Sequence, residues 1–156
     1  KYGYEYFDAL GKNGVMIESG STALAKLQTG ECKVIMILEE SVLRIRKEEN
    51  SPITVIYPED GVILVPSTVM TIAENKSANA NLEACEAVTN WLLSEAGQEC
   101  ILSGYMHSVL KGMEEVPYDS ISTDTLIEKD MGVDWNRCYQ DRDEIRTRFQ
   151  ESVTLP

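Results

Sequence analysis

Positive charge and histidine are both scarce in this chain. It has one histidine, and its 14 lysine and arginine residues are outnumbered by 26 aspartate and glutamate residues, so the formal net charge is -12 at pH 7. The electric field of a negatively charged protein repels the phosphate backbone of nucleic acids and the anionic surface of membranes. The composition therefore argues against nucleic acid as a partner, apart from contacts with a local basic patch.

Long apolar runs are lacking too. The run Val34–Leu38 has the length of a strand, whereas a membrane-spanning helix needs about 20 apolar residues. A hydrophobic content of 43% in 156 residues is still enough to build a core. We therefore predict a folded chain without a membrane span, either one compact domain or part of a larger protein.

Closely spaced cysteines are also absent. Neighbouring cysteines lie 53, 15 and 38 positions apart, which fits neither a CxxC pair nor a zinc ribbon. We predict no metal site, and we expect each cysteine to pack as a small hydrophobic residue. The four are Cys32, Cys85, Cys100 and Cys138.

Catalytic motifs are missing from the sequence. It contains no GxSxG, HExxH, Walker A or GxGxxG pattern. We expect the lone His107 to be a structural hydrogen-bonding residue. The acidic pairs Glu39-Glu40, Glu59-Asp60 and Glu114-Glu115 are adjacent in sequence, so their side chains should diverge. We predict no catalytic residue and no cofactor.

Helix and strand patterns alternate along the first hundred residues, which is typical of the α/β class. Start and stop residues mark the helices, and runs rich in β-branched residues mark the strands. Helices are predicted for Tyr2–Leu10, Ser19 to Gly30, Glu39 to Asn50, Asn81–Leu93 and Ser94 to Gly104; strands for Val15–Ile17, Lys33–Leu38 and Ile53–Tyr57; and extended segments for Val62–Val65 and Val69–Ala73.

The last 44 residues carry half of the net charge, with eleven acidic and five basic side chains. Asp134 is a candidate N-cap for a helix in this tail. We expect Glu144 and Arg148 to form an i,i+4 ion pair on it, and we expect the helix to dock on the body through an apolar stripe. The stripe consists of Trp135, Cys138, Tyr139, Ile145 and Phe149.

A polar turn precedes the second helix and is the first candidate binding element. Free backbone amides and hydroxyl groups at a helix start suit a phosphate, phosphonate, sulfonate or carboxylate group. An ordinary N-cap uses the same residues, and from this segment alone the ordinary cap is favoured. The turn consists of Ser19, Gly20, Ser21 and Thr22.

Polar residues also follow the two predicted central strands, at the edge where open α/β sheets bind ligands. Glu39 and Glu40 can accept hydrogen bonds from an ammonium group or from sugar hydroxyls of a ligand. Alternatively, they face solvent, and their negative charges are stabilised by the positive end of the helix dipole. Tyr57 can stack on a ligand or keep a hydrated hydroxyl. Glu59 follows in the Pro-Glu-Asp-Gly break. We predict that these residues bind the ligand together with the Ser19–Thr22 turn.

The order of these segments resembles the second half of a bacterial extracellular solute-binding protein of the two-lobed type 2 kind. The segments are SGSTALAKLQTGE, KVIMILEESVL, PITVIYPEDGV and NLEACEAVTNWLLSEAGQE, and the resemblance covers Tyr2 to Val109. It is similar to the branch that includes ferric-iron, phosphonate and sugar-phosphate binders of ABC importers.

The resemblance implies an α/β fold in which two lobes close on a solute by a hinge motion. Residues 1–57 would be the first part of the second lobe, residues 58–104 the hinge crossing and a segment returning to the first lobe, and residues 105–156 a final helical section of the second lobe. Because members of this family are substantially longer than this chain, the resemblance also implies that the chain is a fragment of a longer protein. Such a half cleft should bind weakly by itself.

One departure narrows the expected ligand. Iron-binding members of the branch carry two adjacent tyrosines after the strand that corresponds to Lys33–Leu38, and phenolate oxygens suit ferric iron. This chain has Glu39 and Glu40 there. The resemblance thus implies a small anionic or zwitterionic organic solute, such as a phosphonate or sugar phosphate, although the turn has few Lys or Arg nearby.

The resemblance further implies a membrane permease as partner and an extracellular or periplasmic location, with or without a lipid anchor. We expect exposed cleft and hinge surfaces to favour a homodimer of the fragment. Three alternatives remain: an iron(III)-binding transport protein, an enzyme or regulator effector domain that reuses the binding fold, and an acidic α/β interaction domain without a ligand.

Overall fold

The computed structural model describes residues 3–13, 19–76, 81–113 and 116–153. Within these ranges the regular structure is helical, and no helix there has the length and apolarity needed to cross a membrane. A 3₁₀ turn spans Glu74–Lys76. The α-helices are α1 (Tyr4–Leu10), α2 (Gly20–Gln28), α3 (Glu39–Glu49), α4 (Leu82–Leu92), α5 (Glu95–Ser103), α6 (Thr123–Glu128), α7 (Trp135–Gln140) and α8 (Arg142–Ser152).

Capping residues set the boundaries of the predicted helices. The side-chain oxygens of Ser19, Asn81 and Ser94 accept hydrogen bonds from backbone amides in the first turns of α2, α4 and α5. These bonds satisfy amides that a helix start leaves free. Gly30, at φ 79°, follows α2, and Asn50, at φ 53°, ends α3. The sequence predictions for these helix ends are confirmed.

The two predicted strands within the described residues, Lys33–Leu38 and Ile53–Tyr57, have no regular secondary structure. Along Ile53–Tyr57, partly buried side chains alternate with exposed ones, as expected for an extended chain whose side chains point to opposite faces in turn. In the Lys33–Leu38 segment, the side chain of Met36 is 95% exposed. Among the described residues, strand pairing is limited to one parallel bridge between Val62 and Asp130. A strand needs a hydrogen-bonded neighbour, so the α/β class stays a prediction. The predicted strand Val15–Ile17 lies outside the described residues.

The chain divides into two compact units. The first unit comprises residues 1–35 and 132–156, and the second unit comprises residues 36–131. The lobe boundaries that the resemblance implies, after residues 57 and 104, stay a prediction.

The first unit packs α1 against α8. The rings of Phe7 and Phe149 meet edge to face with their centroids 5.5 Å apart. Asp8 accepts a hydrogen bond from Ser152 and lies 3.9 Å from the guanidinium of Arg148. Phe149 therefore docks on the unit as predicted for the apolar stripe, whereas Trp135, Tyr139 and Ile145 of the same stripe are exposed, so the prediction is wrong for these three residues.

The predicted tail helix is two helices. Asp141 ends α7 and begins α8, and its φ of -95° and ψ of 8° depart from helical values. The predicted pair of Glu144 with Arg148 is wrong within the described residues, because Arg148 lies 3.1 Å from Glu151 instead.

The second unit has its core beneath α3. Val42, Leu43 and Ile45 are buried, as the sequence predicted, and Leu126 of α6 is buried as well. Helix α6 has six residues, follows the N-cap Ser122 and was not predicted from the sequence.

A buried glutamine joins the parts of the second unit around α5. Gln98 donates a hydrogen bond to the Leu92 carbonyl at 2.7 Å, and its carbonyl oxygen accepts from the Ser108 hydroxyl at 2.9 Å and the Val109 amide at 2.8 Å. These bonds hold the chain that leaves α5 against the end of α4.

Candidate functional site

A hydrogen-bonded cluster in the second unit surrounds Glu39, the first residue of α3. Its members come from four places: the start of α3, the end of the predicted strand Ile53–Tyr57, the loop after α5, and the region where α6 begins. We call it the Glu39 cluster; it consists of Glu39, Tyr57, His107, Ser120 and Thr123.

The carboxylate of Glu39 accepts three hydrogen bonds from the protein. The Tyr57 hydroxyl and the Ser120 hydroxyl both donate to its Oε1 atom, the latter at 2.6 Å. The Nε2 atom of His107 lies 3.2 Å from its Oε2 atom. These contacts join Glu39 to Tyr57, Ser120 and His107, which lie 18, 81 and 68 positions away in the sequence. The cluster therefore fixes the position of Glu39 through the tertiary fold.

The surroundings favour the charged form of Glu39. Burial acts in the opposite direction, but hydrogen bonds from His107, Ser120 and Tyr57 outweigh it and hold the pKa of Glu39 below its ordinary value. Burial and the bond to Glu39 raise the pKa of Tyr57 to about 12, so its hydroxyl keeps its proton. The result is an ionised carboxylate beside neutral hydroxyl donors.

Glu39 can accept one more donor from outside the protein. An ionised carboxylate offers about four lone-pair positions, three of which have partners here. Its side chain is 21% exposed. A hydroxyl or ammonium group is the chemical complement of the remaining position.

Glu39 and Glu40 have different surroundings, and the divergence of adjacent acidic side chains stays a prediction. The side chain of Glu40 has no hydrogen bond or ion pair with any described residue, and Glu59 is exposed. The pair Glu114-Glu115 lies outside the described residues. Of the residues predicted at the strand ends, the structure brings Glu39 and Tyr57 together and leaves Glu40 and Glu59 outside the cluster.

The predicted Ser19–Thr22 turn belongs to the first unit. Ser19 accepts a hydrogen bond from the Thr22 amide at 3.5 Å, and its hydroxyl lies 2.8 Å from that of Ser21. These are the bonds of an ordinary N-cap, and all four residues are exposed. A Cβ atom at Gly20 would meet no atom within 4 Å, so the space beside the turn is open. Its role in binding stays a prediction.

The sequence analysis did not place His107, Ser120 or Thr123 in the site. His107 was expected to form structural hydrogen bonds, and its three contacts agree with that expectation. Ser120 and Thr123 gave no signal, because single hydroxyl residues before a short helix are common in any fold. Their role depends on contacts between distant parts of the chain.

Metal binding has no support from side-chain geometry in the described ranges. They contain no group of three or more His, Cys, Asp or Glu residues placed to hold an ion. All four cysteines are free thiols, and Cys100 is exposed, which departs from the expectation that each packs inside.

Comparison with known proteins identifies a family that the chain matches. No curated protein and no solved structure matches the chain. A family model described as "Bacterial extracellular solute-binding protein" matches residues 3–127. The matched range includes the whole Glu39 cluster and the Ser19–Thr22 turn, whereas α7 and α8 lie beyond it.

Proposed function

The chain belongs to the bacterial extracellular solute-binding proteins, and on this premise we propose that it captures a small anionic or zwitterionic organic solute for an ABC importer. Family membership implies a solute ligand, a membrane permease as partner and a periplasmic or extracellular location. It also implies a transport role in place of catalysis. Our proposal goes beyond family membership in three respects: the chemical class of the solute, a lipid anchor and the contact with the permease.

The Glu39 cluster is the observation that carries the proposal. A receptor gains affinity when its binding groups are held in place before the solute arrives, because less conformational freedom is lost on binding. Three protein donors hold Glu39 in this way, and its fourth acceptor position is free for a solute donor. We propose that it binds the ammonium or hydroxyl group of the solute.

The Ser19–Thr22 turn supports the proposed ligand class by its own chemistry. Exposed hydroxyls and the first amides of α2 are suitable donors for a phosphonate or phosphate. The turn and the Glu39 cluster support the proposal separately, each by the chemistry of its own unit.

The proposed fold is the second lobe of a two-lobed α/β protein, with residues 58–104 returning to the first lobe. Exposed apolar side chains in the segments predicted as strands support this proposal, since pairing in a sheet would bury them. The same exposed side chains support self-association of this chain as a homodimer.

Calorimetric titration of the full chain tests the proposed ligand class. We expect saturable binding of at least one member of a panel of phosphonates and sugar phosphates, in the weak range because the chain would supply half of a cleft. Ferric citrate completes the panel. Tight binding of ferric iron with no response to any organic solute would overturn the proposed class and favour the iron(III)-binding alternative.

A further inference from the structure

His107 lies between a carboxylate and a hydroxyl within the Glu39 cluster. Its Nε2 atom is 3.2 Å from Oε2 of Glu39 and 3.0 Å from the hydroxyl oxygen of Ser120, and its Nδ1 atom is 2.9 Å from the hydroxyl oxygen of Thr123. The side chain is 16% exposed. Both ring nitrogens therefore have polar partners while water can still reach the ring.

The partners determine where the imidazole carries its proton. An ionised carboxylate can only accept hydrogen bonds, so Nε2 must carry the hydrogen that faces Glu39. Ser120 uses its own hydrogen for Glu39, at 2.6 Å, which leaves its oxygen free to accept from Nε2 as well. Neutral His107 is thus held in the form with hydrogen on Nε2, and Nδ1 accepts from Thr123.

The Thr123 hydroxyl is compatible with a second proton on the ring. A hydroxyl can donate or accept by rotation about its C–O bond. When Nδ1 gains a proton, Thr123 can turn from donor to acceptor while its oxygen stays in place. Protonation of His107 therefore adds one positive charge beside Glu39 and breaks no hydrogen bond of the cluster.

We propose that His107 is a positioning residue for Glu39 and that its protonation sets which charge on a solute the cluster accepts. This inference rests on the proposed function of the cluster as a solute-binding site. With neutral His107 the cluster carries one negative charge and favours an ammonium group. With protonated His107 the two charges cancel, and the preference for a cationic group falls. Histidine is the side chain that ordinarily changes charge near neutral pH.

The neighbouring charged groups do not offset this change. Glu39 of α3 is the charged side chain that faces the ring directly. Tyr57 stays neutral because its pKa is about 12. Asp119, which precedes Ser120, lies 2.5 Å from the guanidinium of Arg46, and Asp124, which follows Thr123, is exposed. The charge of the cluster therefore depends on His107.

Nuclear magnetic resonance of the full chain tests the proton link directly. The chain has one histidine, so ¹⁵N-histidine labelling gives one unambiguous pair of ring nitrogens. We expect the neutral ring to be in the Nε2–H form at pH 8 and a second proton to bind at Nδ1. Glu39→Gln should reduce the fraction of the Nε2–H form, because a carboxamide can donate as well as accept a hydrogen bond, and Glu40→Gln should leave that fraction unchanged. An Nδ1–H form at pH 8 in the wild-type chain, or equal tautomer fractions in wild type and Glu39→Gln, would overturn the inference.

Solute binding supplies the readout that a purely structural histidine would not change. Taurine carries an ammonium and a sulfonate that both stay ionised between pH 8 and pH 5.5, and ethanesulfonate is the matched probe without the ammonium. We expect the ratio of their affinities, measured by calorimetry, to fall about tenfold from pH 8 to pH 5.5 in the wild-type chain. His107→Gln keeps a side-chain N–H donor but does not titrate, so its ratio should be independent of pH.

The outcomes separate this inference from the proposed function. A wild-type ratio that does not change with pH would overturn the role of His107 while leaving solute binding intact. If neither probe nor any panel solute binds at either pH, the proposed ligand class is wrong, and the resonance measurements alone decide whether His107 is proton-linked to Glu39.

Discussion

Glu39 and Glu40 are adjacent carboxylates at the start of α3, yet their surroundings differ. Glu39 accepts hydrogen bonds from three side chains, whereas Glu40 has no such partner among the described residues. The sequence predicts that the two side chains diverge, because neighbouring residues on a helix point in different directions. It could not identify the partners, which lie up to 81 positions away.

Replacement of Glu39 by Gln should destabilise the protein and change its sensitivity to acid. We expect a loss of about 1–3 kcal/mol at pH 7, because hydrogen bonds to a charged acceptor are replaced by weaker ones. The folded state lowers the pKa of Glu39 below the ordinary value of 4.5. Its contribution is therefore fully present above the unfolded pKa and disappears as the pH falls through the lowered folded pKa.

Urea unfolding at pH 7 and at pH 3 measures both effects. The difference in free energy of unfolding between wild type and Glu39→Gln should shrink at pH 3, while Glu40→Gln should match wild type at both values. A difference of equal size at pH 7 and pH 3 would show that the charge of Glu39 does not contribute.

Gln98 provides a second prediction at this scale. Gln98→Leu keeps the size of this buried side chain but removes its hydrogen bonds with the Val109 amide, the Leu92 carbonyl and the Ser108 hydroxyl. A buried polar group left without a partner costs about 1–3 kcal/mol, and the bond with Ser108 is buried while the other two are partly buried. We expect a total loss of at least about 2 kcal/mol in chemical denaturation. Gln140→Leu at the exposed end of α7 is the control, and equal stability of the two variants would contradict the account.

At the scale of elements, helices were predictable where local signals mark both ends. Ser19 and Gly30 at α2 and Asn50 at α3 act through backbone geometry close in sequence. The break at Asp141 and the short helix α6 were missed because their local signals are weak. Strand formation depends on a partner elsewhere in the chain, and the apolar runs alone could not specify one.

The close approach of α4 and α5 depends on a glycine. A Cβ atom at Gly97 would lie 2.1 Å from the Trp91 carbonyl oxygen and 2.8 Å from Cα of Leu92, and both contacts are with backbone. We expect Gly97→Ala to cost about 1–3 kcal/mol, since the helices must move apart. Gly20→Ala at the start of α2 meets no atom within 4 Å and should be neutral or slightly stabilising.

Thermal unfolding of both glycine variants checks this contrast. The melting temperature of Gly97→Ala should fall by several degrees, as about 1 kcal/mol shifts it by roughly 2–8 °C in domains of this size range. Equal melting temperatures for the two variants would show that α4 and α5 tolerate separation.

At the scale of the whole molecule, charge and exposed apolar surface oppose each other. The net charge of -12 disfavours self-association, whereas Met70 is 85% exposed and lies among other exposed apolar residues of the segment 62–72. Family membership accounts for a solute-binding role, and the sequence order was sufficient to suggest it. The solute itself was not predictable, because its recognition depends on side chains that only the tertiary fold brings together.

The homodimer should therefore form more readily when salt screens the charges. We expect light scattering to show a larger dimer fraction at 500 mM than at 50 mM salt, since the screening length falls from about 14 Å to about 4 Å. Met70→Lys should reduce that fraction, and Thr71→Lys, which adds the same charge at an exposed polar neighbour, should reduce it less. A monomer at every salt and protein concentration would contradict the proposed homodimer.

The central claim is that the Glu39 cluster contacts the solute of this solute-binding protein. The most direct test is calorimetric titration of the best-binding panel solute into the wild-type, Glu39→Gln and Glu40→Gln chains at pH 7.5. We expect Glu39→Gln to weaken binding at least about tenfold, the effect of losing one charged hydrogen bond, and Glu40→Gln to leave the affinity unchanged. Equal affinity of all three chains would contradict the claim.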